Sequence, residues 1–284
     1  MSRILALFDG SIYSQSVCNH TSWAAERGSA SIDVLHVLGR RDGPGAPADF
    51  SGSLNADARA ILLAELAQLD EQKAILAQKR GRLILDEAKA CLQRAGATDV
   101  TTKLRHGDLV ETVQDFEGGT DLIVIGKRGE AADFAKLHLG SNLERLARSS
   151  HKPILVASRA FKPISRFLIA FDGSASALKA VEFVEANALL RGLECHILMV
   201  GSETEEAKAS LDQTTTRLQA LGYTVHAKIE SGQADAVIAA AVESEGIDLL
   251  VMGAYGHSRI RNLIIGSTTT EMIRSCKIPV ILCR

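Results

Sequence analysis

The chain repeats itself, and that repeat restricts its fold more than any other feature. The apolar run Ile4-Leu5-Ala6-Leu7-Phe8 stops at Asp9-Gly10-Ser11, and Leu168-Ile169-Ala170-Phe171 stops at Asp172-Gly173-Ser174. Thr120-Asp121-Leu122-Ile123-Val124-Ile125-Gly126 returns as Ile247-Asp248-Leu249-Leu250-Val251-Met252-Gly253. Lys152-Pro153-Ile154-Leu155-Val156 returns as Lys277-Ile278-Pro279-Val280-Ile281-Leu282. The landmarks keep their order. Asp9 to Asp172 spans 163 positions and Gly126 to Gly253 spans 127, so the first copy carries about 36 extra residues between those landmarks.

Each copy reads as alternating strand and helix. Continuous apolar runs such as Leu122–Ile125 and Leu249–Met252 suit strands buried on both faces of a parallel sheet. Leu178, Val181, Val184 and Ala188 recur at helical spacing, as do Val237, Ile238, Ala241 and Val242. The pattern predicts an α/β fold of two tandem doubly wound domains, each with a five-stranded parallel sheet. The first domain is expected over residues 1–160 and the second over 164–284. The joining segment Arg159–Pro163 is short, which favours docked domains over a flexible string. The extra residues of the first copy fall at about 42–95. Residues 42–53 are rich in Gly, Pro and Ser and read as a loop, and 54–95 read as helix with Gly81 as a candidate break. One straight helix of that length would span roughly 60 Å. It therefore bends near Gly81 or projects, and packing on its own domain is the favoured expectation over projection toward a partner subunit.

Composition removes several function classes. Only 4% of residues are aromatic, so a stacking platform for single-stranded nucleic acid is not expected, and a net charge of −2 argues against a phosphate backbone or anionic membrane as partner. The five cysteines, Cys18, Cys91, Cys195, Cys276 and Cys283, are odd in number, widely spaced and free of C-x-x-C pairs. A disulfide framework or zinc site is not expected from them, and a reducing cytoplasm is. The first apolar run is too short for a signal-peptide core, and no run approaches 18 residues, so a cytosolic protein is expected.

In a doubly wound fold, ligands bind beyond the carboxyl ends of the strands. Asp9, Asp172, Gly126 and Gly253 all fall at such ends. After Gly253 the sequence runs Ala254-Tyr255-Gly256, then nine residues, then Gly266-Ser267-Thr268-Thr269, and a helix-forming stretch follows. Gly253 and Gly256 would let backbone approach a ligand and adopt positive φ. Gly266 and Ser267 would open a helix whose free amides receive phosphate oxygens, with the Ser267 and Thr268 hydroxyls as further donors. His257, Ser258, Arg259 and Arg261 in the intervening loop would contact or neutralise phosphate. For the strand-end aspartates, a role in capping the next helix or orienting the loop competes evenly with a metal-ligand or base role. His36 and His196 lie in apolar strands, where core or strand-end roles are expected.

The G-x2-G-x9-G-[S/T] spacing, the strand-one aspartate and the closing Ile-Pro-Val-Ile-Leu strand resemble the universal stress protein family across nearly the whole chain, as two tandem domains. The resemblance implies five parallel strands per domain, ATP in members that keep the glycine motif, and domain pairing through the last strand. It places Asp172 near the adenosine, followed by Gly173 and Ser174, and sets Met199 and Val200 beside the adenine. Met252, Gly253, Gly256, Gly266 and Ser267 would then border the phosphates, with Mg2+ an optional companion of ATP. The first copy offers a weaker set, Asp9, Val37, Gly126, Gly129, Gly140 and Ser141. Its spacer is one residue longer and includes Glu130 and Asp133, two carboxylates that would repel a triphosphate, partly offset by Lys127, Arg128 and Lys136. The expected function is a cytosolic ATP-binding stress or regulatory protein, with intramolecular domain pairing and a homodimer as candidate assemblies. The alternatives are an interaction scaffold that binds no nucleotide, and a slow ATPase. Walker A, S-G-G-x-D-S, H-x-G-H and G-x-S-x-G signatures are absent, and no residue set stands out as hydrolytic machinery.

Overall fold

The computed structural model describes residues 2–39, 56–128, 141–254, 272 and 276–284. The first half runs β1 (Arg3–Leu7), α1 (Ser14–Gly28), β2 (Ser31–Leu38), α2 (Ala56–Arg94), β3 (Val100–His106), α3 (Leu109–Glu117), β4 (Leu122–Gly126), α4 (Ser141–Ser149) and β5 (Ile154–Ala157). The second runs β6 (Arg166–Phe171), α5 (Ala175–Ala186), β7 (Glu194–Val200), α6 (Glu205–Ala220), β8 (Val225–Glu230), α7 (Ala234–Ser244), β9 (Leu249–Gly253) and β10 (Val280–Cys283).

Strands form where apolar side chains must be buried in both directions. In β1, Ile4 and Ala6 enter one core cluster and Leu5 and Leu7 the other. In β6, Phe167, Ile169 and Phe171 face the first cluster and Leu168 the second. Helices α1, α2, α5 and α6 cover the first face, and α3, α4 and α7 cover the second. Such a two-sided sandwich is what a continuous apolar strand requires. The repeat extends to core positions: Leu146 of α4 and Met272 of the second half are both fully buried in the second cluster.

The ten strands lie in the order β3-β2-β1-β4-β5-β10-β9-β6-β7-β8. Each half has its own parallel five-stranded sheet, and the two join edge to edge. β5 and β10 pair antiparallel, with Val156 opposite Val280 and Ile154 opposite Leu282. The apolar edge strand of each half thereby loses its exposed row of amides and carbonyls. Further contacts cross between the halves. Arg27 of α1 donates from Nε to the Leu189 carbonyl at 2.6 Å and also reaches the Arg191 carbonyl. Phe161 of the joining segment packs edge-on to buried His20, ring centroids 5.0 Å apart.

Two sequence expectations need correction. Helix α2 is unbroken over its 39 residues, and Gly81 does not interrupt it. Gly81 is where the helix presses on the sheet: an added Cβ would sit 2.8 Å from Leu104 and 3.0 Å from His36. From Gly81 onward α2 buries Leu85, Ala88 and Leu92, whereas between Ala60 and Arg80 no residue is buried. Packing on its own domain therefore describes only the C-terminal part. The second correction concerns cysteine. Cys18 of α1 and Cys91 of α2 form a disulfide across 73 residues of sequence, leaving Cys195, Cys276 and Cys283 buried and free. Cysteine usage therefore gives no argument for a reducing compartment. Among the described residues, no helix is long and apolar enough to cross a membrane.

Candidate functional site

The first strand of each half ends in the same built turn. The Asp172 carboxylate accepts a hydrogen bond from the Ser174 amide at 2.9 Å, and Asp9 accepts one from the Ser11 amide at 3.0 Å. Both turns pass through a glycine with positive φ, Gly173 at 72° and Gly10 at 74°, a conformation a Cβ would strain. Each aspartate thus orients its own loop, and in the second half the capping role passes two residues on, whereas α1 starts after Tyr13 with no side-chain cap. Ser174 is the N-cap of α5 and accepts from the Ala177 amide at 3.2 Å. The Asp172 side chain remains exposed at the carboxyl edge of the sheet.

Strands β7 and β9 flank β6, with Phe171 in register with Met199 and Ala170 with Met252. Asp172, Val200 and Gly253 therefore stand side by side at the carboxyl ends of three adjacent strands. The strand order reverses about β6, since the chain adds β7 on one side and later β9 on the other with all three parallel, which is the switch point where this architecture binds ligands. Val200 is half-exposed there, while Met199 and Met252 are buried in opposite core clusters. In the first half Asp9, Val37 and Gly126 occupy the matching ends of β1, β2 and β4.

Gly253 departs from its expectation in backbone conformation. It is not among the positive-φ glycines, so left-handed backbone is not why glycine stands there. An added Cβ would lie 2.4 Å from the Ser176 carbonyl carbon, 2.5 Å from its oxygen and 2.7 Å from the Ala177 nitrogen. Glycine lets the end of β9 touch the first turn of α5, which carries the Asp172 loop. Gly126 is looser, its nearest neighbour being Tyr13 Cβ at 2.9 Å. Gly256, His257, Ser258, Arg259, Arg261, Gly266, Ser267 and Thr268 lie outside the described residues, as do Gly129, Glu130, Asp133, Lys136 and Gly140. Ser141 opens α4.

Around the first-half site, charge is committed elsewhere. Lys127 Nζ donates to the Cys276 carbonyl of the second half at 2.7 Å, while the Glu130 and Asp133 carboxylates it was expected to offset lie outside the described residues. Burial, with a smaller push from the Arg128 charge, lowers its pKa to about 8. Asp108 caps α3, accepting from the Val110 and Glu111 amides, and pairs with Arg145 of α4 at 2.8 Å. The Arg145 guanidinium, more than the capping amides, holds the Asp108 carboxyl below its usual range. This pair ties the α4 N-terminal region to the end of β3.

His36 takes a strand-end role, its Nδ1 2.6 Å from the Phe8 carbonyl. His196 belongs to a cluster the sequence did not reveal. Its ring lies 2.6 Å from Glu245 and 3.2 Å from Glu194, while His226, its register partner on β8, meets the same Glu194 oxygen at 3.3 Å. Lys228 joins Glu245 and Glu230, and both carboxylates raise its pKa. The cluster lines a cavity of about 310 Å³ beside α7, away from the strand carboxyl ends. The one available signal was His196 and His226 facing each other across neighbouring strands, which needs register to read. Among the described residues, no group of three or more His, Cys, Asp or Glu is arranged to hold a metal.

The Universal stress protein family model matches residues 1–158 and again residues 163–284. The chain belongs to the universal stress protein family. A curated member, universal stress protein Slr1230 of Synechocystis, is 38% identical over 287 residues, covering all of both chains. Among solved structures, a universal stress protein from Archaeoglobus fulgidus aligns over 99% of this chain and 98% of its own, with a TM-score of 0.73 at 23% identity. A putative universal stress protein from Pseudomonas aeruginosa covers 100% of this chain and 93% of its own, with a TM-score of 0.63 at 17% identity. These two solved structures speak to the fold. The family assignment establishes a tandem universal stress protein with a mostly parallel α/β sheet.

Proposed function

We propose that this protein is a cytoplasmic, ATP-binding regulator of the universal stress type, holding nucleotide mainly in its second half. One observation carries the reading. Asp172, Val200 and Gly253 share the carboxyl edge at the switch point, and the G-x2-G-x9-G-S sequence starts at Gly253. The exposed Asp172 carboxylate, steadied by the Ser174 amide, suits a hydroxyl of the nucleoside. Gly256, Gly266, Ser267 and Thr268, with His257, Ser258 and Arg259, supply amide, hydroxyl and cationic donors for the phosphates, and Mg2+ accompanies the ATP.

The two universal-stress domains are assigned to residues 1–160, with the helical insertion, and 164–284. They act as one intramolecular pair across β5 and β10. The first-half site is the weaker one, because Lys127 is spent on Cys276 and its loop keeps two carboxylates. ATP sets a conformation or an assembly state in this reading, so turnover is not required of it. The cytoplasm is the compartment in which ATP is abundant, and the near-neutral charge points away from nucleic acid and membrane. The test is mass spectrometry of small molecules released from denatured protein, with ATP titration by calorimetry in the presence and absence of Mg2+. Released adenine nucleotide and saturable binding support the reading. Neither in both formats removes it and leaves the scaffold, and turnover well above buffer background would favour the ATPase.

A further inference from the structure

Among the described residues, helix α2 carries an apolar stripe that stays out of the core of its own domain. Leu62, Leu69, Leu76 and Leu83 recur every seven residues over roughly 32 Å of helix. At about 100° per residue, they lie on the side opposite Gly81, Leu85, Ala88 and Leu92, which press against the sheet. Leu69 is 46% exposed, Leu76 63% and Leu83 62%. Leu66 extends the stripe, and Lys73 and Arg80 interrupt it at the alternate heptad position. A stripe this long on a monomer marks a contact surface.

The charges on the helix say what covers it. Glu65, Asp70 and Glu71 fall in its N-terminal part, and Lys73, Lys79, Arg80 and Arg82 follow. Between Leu62 and Leu83 the helix is therefore acidic, then basic, before Asp86 and Glu87 follow in the part packed on the sheet, and this stretch complements a second copy of itself running the other way. We infer that α2 forms an antiparallel helix pair with α2 of a second copy of this chain, closing a homodimer through a two-fold contact.

Heptad geometry restricts the register to steps of seven residues, and the pairing of Glu65 with Lys79 selects one. Antiparallel packing lays Leu66 against Leu76 of the second copy, and Leu62 and Leu69 against the stems of Arg80 and Lys73. Glu65 then faces Lys79 of the second copy, and by symmetry the pair occurs twice. Asp70 comes near its own symmetry mate, with Lys73 at 3.8 Å beside it to neutralise the approach. A parallel pair would instead set Lys73 on Lys73 and Arg80 on Arg80, in the middle of the apolar seam. Lys73 and Arg80 thus select the direction. Three heptads make a modest seam, so dissociation is expected on the order of micromolar rather than nanomolar.

The experiment is sedimentation equilibrium on the full chain across that concentration range, for wild type, Glu65→Lys, Lys79→Glu, the double exchange and Leu69→Ser/Leu76→Ser. Wild type should pass from one to two chain masses. Each single charge reversal should weaken association by about tenfold or more, and the double exchange should recover it. Leu69→Ser/Leu76→Ser should stay monomeric with an unchanged far-UV circular dichroism spectrum, because both side chains are exposed in the single chain. Wild type that stays monomeric throughout overturns the inference. So does a dimer indifferent to these changes, and failure of the double exchange to restore association overturns the antiparallel register.

Discussion

Replacing Gly253 with alanine tests whether the strand-end glycine serves packing before it serves a ligand. The new methyl would meet Ser176 C, Ser176 O and Ala177 N at 2.4, 2.5 and 2.7 Å. All three are backbone atoms, and real Cβ contacts sit at 3.4–4 Å. Either β9 or the first turn of α5 must withdraw by about 1 Å, against a core in which Val251, Ala180 and Val181 are fully buried. Overpacking of this kind costs about 1–3 kcal/mol, and the upper end is expected because no flexible side chain can yield. That corresponds to a fall in Tm of roughly 8–12 °C if the second half unfolds as a unit of about 120 residues. Gly126→Ala is the internal control. There the new methyl presses on the Tyr13 side chain at 2.9 Å and 3.4 Å and meets the Arg128 carbonyl oxygen only at an ordinary 3.5 Å, and about 1 kcal/mol is expected. Thermal and urea denaturation followed by circular dichroism give both numbers, and ATP titration of Gly253→Ala adds a third. Because the displaced turn carries Asp172 and Ser174, affinity should fall as well. A Tm within about 2 °C of wild type, or a larger loss in Gly126→Ala, would refute the packing argument.

Two further outcomes follow from the cysteines and from Lys127. Alkylation of denatured, unreduced protein should label three of the five cysteines, and reduction should expose Cys18 and Cys91 and lower stability by about 2–4 kcal/mol; five labels without reductant would contradict the disulfide. Lys127 has a folded pKa of about 8 against 10.5 for the unfolded chain, so between those values it binds more protons unfolded and its own contribution to stability rises with pH, against the opposite slope above pH 9 from buried Cys195 and Cys283, both pushed up to about 12. Allowing for solvent screening of a partly exposed group, the gain is about 1–2 kcal/mol, read as the difference between wild type and Lys127→Met; a difference that stays flat between pH 8 and 10.5 would contradict it.

Much of the fold could be read from short-range pattern. Apolar runs buried on both faces, helical spacing between them, and the repeated Asp-Gly-Ser gave the α/β class and the strand ends where Asp9 and Asp172 stand. What escaped depends on contacts distant in the chain. Cys18 and Cys91 are 73 residues apart and approach only because α1 and α2 pack on the same sheet face. Gly81 looks like a helix break by propensity, yet tertiary contact with Leu104 and His36 decides its role. Lys127 reads as an offset to the loop carboxylates because it adjoins them in sequence, and its hydrogen bond to Cys276, 149 residues on, has no local signal. The His196 and Glu245 cluster needs the β7–β8 register, which no local window contains.

The central claim is an asymmetric pair of sites, with ATP in the second half. The direct measurement is nucleotide content per chain, by mass spectrometry after denaturation, for wild type, Gly140→Ala and Gly266→Ala. The account predicts adenine nucleotide in wild type, retained in Gly140→Ala and lost in Gly266→Ala. Nucleotide that survives Gly266→Ala and disappears in Gly140→Ala would contradict it.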